Sequence, residues 1–140
     1  MPFVQIHLRA GRSEAWLQKL SRAIHQSMIE EINVPEDDYF QVIRQYDNNE
    51  FFYDPSYLQV ERTDELIYIH FTLKQSRTTE QKRALYRSIA SRIHSELGVR
   101  KEDVFIMLAG NQDEDWSFGN GRAQMIEYKT PRIDTRGVVY

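Results

Sequence analysis

The fold is decided by residues 12–43, RSEAWLQKLSRAIHQSMIEEINVPEDDYFQVI, and by their likeness to residues 77–108, RTTEQKRALYRSIASRIHSELGVRKEDVFIML. A shift of 65 residues superposes the two stretches without a gap. It yields eight identities: Arg12/Arg77, Leu20/Leu85, Arg22/Arg87, Ile24/Ile89, Glu31/Glu96, Val34/Val99, Asp38/Asp103 and Phe40/Phe105. Ordinary amino-acid usage supplies about two in such a window by chance, so the chain reads as a tandem duplication. Within each copy, apolar residues recur at helical spacing: Leu17, Leu20, Ile24 and Met28 in one, Leu85, Ile89, Ile93 and Leu97 in the other. Ser13 and Thr78 stand where N-caps belong, and Thr78 with Gln81 fits a capping box. Asn33 and Gly98 close the helices at equivalent positions, and both residues accept a left-handed backbone.

Outward from the helices the pattern turns to strands. Phe3–Leu8 and Tyr68–Leu73 precede them as short β-rich runs. A second strand follows each, from near Asp38 through Tyr39–Arg44 and from near Asp103 through Val104–Leu108. Each unit is therefore β-α-β with its two strands parallel. Two units joined by residues 45–64 imply an α+β fold, a four-stranded mixed sheet with both helices on one face. The chain reads as one domain: repeat 1 over about 1–46, repeat 2 over about 66–110, and an irregular tail over 111–140 that holds Trp116, Phe118 and Pro131. The sheet face opposite the helices needs a cover, from the tail or from another subunit.

Composition excludes several functions. Of 140 residues, 41% are hydrophobic and 28% charged, as in ordinary globular proteins. The net charge of −3 without a basic block argues against nucleic-acid binding. No apolar run is long enough for a membrane span, and no signal-peptide core follows Met1, so a cytoplasmic protein is expected. The absence of cysteine removes disulfides and thiolate chemistry. His7, His25, His70 and His94 lack ligand spacing, so no metal is expected.

Pro2 is the unusual chemical element. Methionine is commonly removed before a small residue, which leaves proline as a free secondary amine. A pocket that lowers the pKa of such an amine turns it into a base near neutral pH. Parallel strands of one unit begin at the same end of the sheet, so Asp38 is expected near Pro2. A pseudo-twofold between the units brings the end of the third strand there as well, with Lys74, Gln75 and Arg77. An amine, a carboxylate and a guanidinium on one pocket suit a small oxo acid or other carboxylate substrate.

With Met1-Pro2, Gly11-Arg12, Val34-Pro35, Asp38, Glu80-Gln81-Lys82 and the string Asp115-Trp116-Ser117-Phe118-Gly119-x-Gly121-Arg122-Ala123, the chain resembles the tautomerase superfamily along nearly its whole length. The closer likeness is to its malonate semialdehyde decarboxylase branch. The resemblance implies a homotrimer of duplicated subunits with no metal or organic cofactor. It implies Pro2 as catalytic amine, Asp38 as its polar partner and Arg77 as the group that binds a substrate carboxylate. Trp116 and Phe118 would form an apolar wall. The decarboxylase pattern carries two arginines one residue apart after the third strand, whereas this chain reads Gln75-Ser76-Arg77. A neutral amide cannot supply guanidinium charge. Keto–enol tautomerisation of a small 2-oxo or 2-hydroxydienoate acid is therefore the expected reaction. Decarboxylation or hydration of a 3-oxo acid such as malonate semialdehyde is the alternative, as is a non-catalytic oligomeric binding module. Ile67 takes the place of Pro2 in the second copy, so one site per chain is expected.

Overall fold

Both copies of the repeat fold as strand, helix, strand in a computed structural model, which describes residues 1–127 and 136–137. In the first copy these are β1 (Phe3–Arg9), α1 (Glu14–Ile32) and β2 (Gln41–Tyr46). In the second they are β3 (Ile67–Lys74), α2 (Thr79–Leu97) and β4 (Val104–Asn111). The helix ends have local causes. The Ser13 hydroxyl accepts the Trp16 amide at 3.2 Å. Thr78 and Gln81 exchange side-chain and backbone bonds at 2.9 and 3.1 Å, a complete capping box. Asn33 and Gly98 take left-handed conformations, with φ of 56° and 71°, where each helix stops.

The sheet order is β2-β1-β3-β4, with antiparallel central strands and a parallel strand at each edge. Alternation along the strands turns Val4, Ile6, Leu8, Ile69, Phe71 and Leu73 toward the helices. There they meet Leu20, Ile24, Met28, Leu85, Ile89 and Ile93, all buried. Burial of each such side chain contributes about 1.5–3 kcal/mol. Ser88 donates to Ser27 at 3.0 Å where the helices meet, and Arg92 pairs with Glu30 across them, so Arg92 is not part of a purely solvated helix face. Among the described residues no helix is long and apolar enough to cross a membrane.

The strands differ in extent from the sequence reading. β2 begins at Gln41 rather than near Asp38, because the Asp38 amide closes a turn onto the Pro35 carbonyl at 3.1 Å. β4 continues to Asn111, pairing Ala109, Gly110 and Asn111 with Thr72, Leu73 and Lys74. The expected irregular tail holds a 3-10 turn at Asp113–Asp115, a bridged turn between Gly119 and Arg122, and a short helix α3 (Gln124–Glu127). Pro131, placed in that tail, lies outside the described residues.

Part of the open sheet face is covered by a segment that sequence reading treated as a connection. Phe51 is buried against Tyr46 and Tyr68, with ring centroids 6.1 and 5.2 Å apart. Val42, Phe105 and Met107 on the same face remain about half exposed. His7 also lies there, sharing a 2.6 Å hydrogen bond with the Tyr46 hydroxyl. Burial lowers its pKa below the ordinary imidazole value, and the neighbouring His70 lowers it further. The unfolded chain therefore takes up a proton before the folded one does. Stability contributed by neutral His7 is fully present above the unfolded pKa of about 6.5 and is lost as pH falls through the window below it. Thermal unfolding from pH 7.5 to 5.5 should show a falling midpoint, and His7→Gln should flatten that fall.

Candidate active site

The topology gathers one set of chain ends. β1 and β2 start, and β3 and β4 finish, at the same end of the sheet. Pro2 is buried there, one residue ahead of β1. The Met1 amine lies 3.0 Å from Asp38 Oδ2, and both residues are nearly inaccessible, the Asp38 side chain 7% exposed. Apart from that ion pair, neither Asp38 oxygen accepts a hydrogen bond among the described residues.

Arg77 follows β3 on the crossover into α2. Its guanidinium donates to the Lys74 carbonyl at 3.3 Å and to the Ile32 carbonyl at 3.4 Å, so it also caps the last residue of α1. Burial pulls its pKa below the ordinary guanidinium value, and the nearby Asp38 carboxylate works against that shift. The arginine still stays protonated at any working pH. Pro2, Asp38 and Arg77 are thus brought together. Gln75 stands two residues before Arg77 as an exposed residue, its backbone N–H donating to the Asn111 carbonyl at 2.8 Å. Lys74 is turned to the open sheet face, where it pairs with Asp113 at 3.1 Å.

Trp116 and Phe118 stack with nearly parallel rings, 6° apart in tilt and 5.4 Å between centroids. Phe118 packs on Phe40 at 5.9 Å, and the Phe40 carbonyl accepts the Val4 amide at 3.1 Å. The aromatic pair is therefore joined to the residue just before β2, whose backbone borders the beginning of β1. The Trp116 indole donates to Asn111 Oδ1 at 2.8 Å, which fixes the ring to the end of β4. Phe40 and Asn111 are absent from the site as read in sequence. Phe40 is a repeat identity, whereas Asn111 lies beyond the strand read from sequence as Val104–Leu108. No three His, Asp or Glu side chains gather for a metal among the described residues.

The other end of the sheet holds the duplicated counterpart, an open cavity of about 370 Å³ lined by Arg9, Arg12, Asn48, Asp64, Glu65 and Leu66. Its charged side chains are paired within the chain, although Arg9 Nε is buried without a hydrogen-bond partner among the described residues. Arg9 pairs with Asp64 at 3.0 Å, and Arg12 pairs with Glu65 at 3.5 Å while lying 4.2 Å over the Trp16 ring. Asp103, fully buried, accepts the Thr63 amide at 2.7 Å and the Thr63 hydroxyl at 2.6 Å. Replacing Asp103 by alanine leaves those donors without their partner. It should cost about 1–3 kcal/mol in denaturant unfolding, with no comparable change in turnover.

Comparison with known proteins bears on the fold and the family. A family profile described as tautomerase enzyme matches residues 38–119, and another of the same description matches residues 2–60. "Probable tautomerase YusQ" of Bacillus subtilis (strain 168) is 94% identical over 127 residues, covering 91% of this chain and all of that protein. "Probable tautomerase YrdN" of the same organism is 33% identical, covering 92% of this chain and 99% of the other. A crystal structure of malonate semialdehyde decarboxylase superposes with a TM-score of 0.84 at 28% identity, over 89% of this chain and 96% of that one. On the profile, which spans more than half its length, and on these relatives, the chain belongs to the tautomerase family.

Proposed function

We propose that this protein is a cofactor-independent isomerase that moves a proton between the keto and enol forms of a small 2-oxo acid. The observation that carries this reading is the contrast between two repeat-equivalent aspartates. Asp103 is satisfied by Thr63, whereas Asp38 is kept for the chain's own amino terminus. Removal of Met1 moves the free amine one residue along the chain to Pro2, the two Cα atoms being about 3.8 Å apart, and Asp38 is proposed as its partner there. Arg77 holds the substrate carboxylate, and Trp116 and Phe118 supply the apolar wall. Pro2 takes the proton from the carbon next to the carbonyl as the C–H pair becomes the C=C bond of the enolate. The proton then passes to the oxygen, the enol forms, and the amine is regenerated.

The half-exposed Val42, Phe105 and Met107 support a trimer that covers the open sheet face. The second reading, decarboxylation or hydration of a 3-oxo acid, is favoured by the likeness to malonate semialdehyde decarboxylase, a structure described for its decarboxylase and hydratase activities. Neutral Gln75 weighs against it. The test is to assay phenylpyruvate enol–keto exchange and malonate semialdehyde decarboxylation on protein whose intact mass lacks Met1. Exchange without decarboxylation is expected. Decarboxylation alone would favour the second reading, and neither reaction would favour the non-catalytic module.

A further inference from the structure

Five of the six glycines have positive φ; Gly110 does not, so backbone freedom does not account for it. Space does. A Cβ built on Gly110 would lie 3.0 Å from Gln75 Cβ and 3.2 Å from Cγ, so the Gln75 side chain would have to give by a few tenths of an ångström. The duplication shows the same pair of positions solved in the opposite way. Gln75 corresponds to Ala10, and Gly110 to Gln45. In the first copy the large residue is on the edge strand, where Gln45 Oε1 accepts the Arg12 amide at 3.3 Å. In the second copy the edge strand carries glycine, and the glutamine has moved to the crossover turn next to Arg77. A side chain at position 110 would crowd the one at 75.

From this exchange we infer that the Gly110–Gln75 pair selects the charge class of the substrate, a 2-oxo acid with one carboxylate and a flat apolar tail. The inference rests on the tautomerase reading and deepens it. Arg77 supplies a cation for one carboxylate, and Asp38 repels a second. Gln75, held over Gly110, offers a neutral carboxamide that hydrogen-bonds a carbonyl or enol oxygen and adds no charge. Lys74, the last residue of β3, is already paired with Asp113 just beyond β4. The stacked Trp116 and Phe118, with Phe40 behind them, suit a planar tail rather than a second anion. Gly110 acts through Gln75 and is a positioning residue.

The test compares kcat/KM for phenylpyruvate, with one carboxylate, and oxaloacetate, with two, in enol–keto exchange by Met1-processed protein. Wild type should favour phenylpyruvate. Gln75→Arg, at an open position, should shift the ratio toward oxaloacetate by about 10- to 100-fold, the worth of a charged hydrogen bond. Gly110→Ala should lower kcat/KM for phenylpyruvate about 10-fold, mostly through KM. In a Gln75→Ala background it should have little further effect, because the group it displaces is gone. The inference is overturned by an unmoved ratio in Gln75→Arg, or by an equal Gly110→Ala loss with and without Gln75. Pro2→Ala separates the two levels. If it keeps wild-type turnover on both substrates, the tautomerase reading itself fails and the inference with it. If it abolishes turnover while Gln75→Arg leaves the ratio unmoved, the inference alone fails.

Discussion

Pro2→Ala is expected to lower kcat/KM for phenylpyruvate by about 10²- to 10⁴-fold, the range that a positioned acid–base group supplies. Alanine at position 2 still allows methionine removal, so the variant keeps an amine, but a primary one on a chain end no longer held by the pyrrolidine ring. Proline there fixes one backbone torsion and presents its nitrogen from a residue buried at the head of β1. The substitution removes little packing and leaves β1 intact, so thermal unfolding should move little. Separation of a large rate loss from a small stability loss marks a chemical role. A parallel drop in both would mark a structural one.

Arg77→Ala should fail in both respects. The guanidinium ties the Ile32 carbonyl at the end of α1 to the Lys74 carbonyl at the end of β3. Its removal leaves the Ile32 carbonyl without that donor, while the Lys74 carbonyl keeps the Ser76 amide at 3.0 Å, at about 1–3 kcal/mol of stability. It also removes the cation proposed to hold the substrate carboxylate, so kcat/KM should fall on the order of 100-fold. Arg77→Lys keeps charge but not the two-pronged donor geometry and should recover a small part of each. Arg12→Ala is the control. That arginine lies at the other end of the sheet, stacked on Trp16 and paired with Glu65, and its loss should cost within about 1 kcal/mol and leave turnover alone. Equal effects at the two positions would mean that Arg77 is a structural residue repeated by duplication.

Much of this arrangement was legible because the chain states its fold twice. The helical spacing of Leu20, Ile24 and Met28 against Leu85, Ile89 and Ile93 indicated which faces meet. Parallel pairing within each unit then placed Pro2 and Asp38 at one end. What sequence could not reveal depends on contacts between residues far apart in the chain. Asp38 and Asp103 look alike in sequence; Thr63, forty residues from Asp103, is what distinguishes them. Phe51 looked like loop and became a cover for the sheet because Tyr46 and Tyr68 frame a place for it. Gly110 carries no signal of its own in the sequence, and the crowding a side chain there would cause shows only with Gln75 beside it.

If a free amine at Pro2 does the chemistry, turnover must follow amino-terminal processing. Protein retaining Met1 is treated with methionine aminopeptidase, and the processed fraction by intact mass is compared with phenylpyruvate exchange in the same samples. Activity should rise in proportion to the fraction lacking methionine, from near zero, because an amide nitrogen has no basicity to offer. Full activity in unprocessed protein, unchanged on cleavage, would contradict the account and move the chemistry away from Pro2.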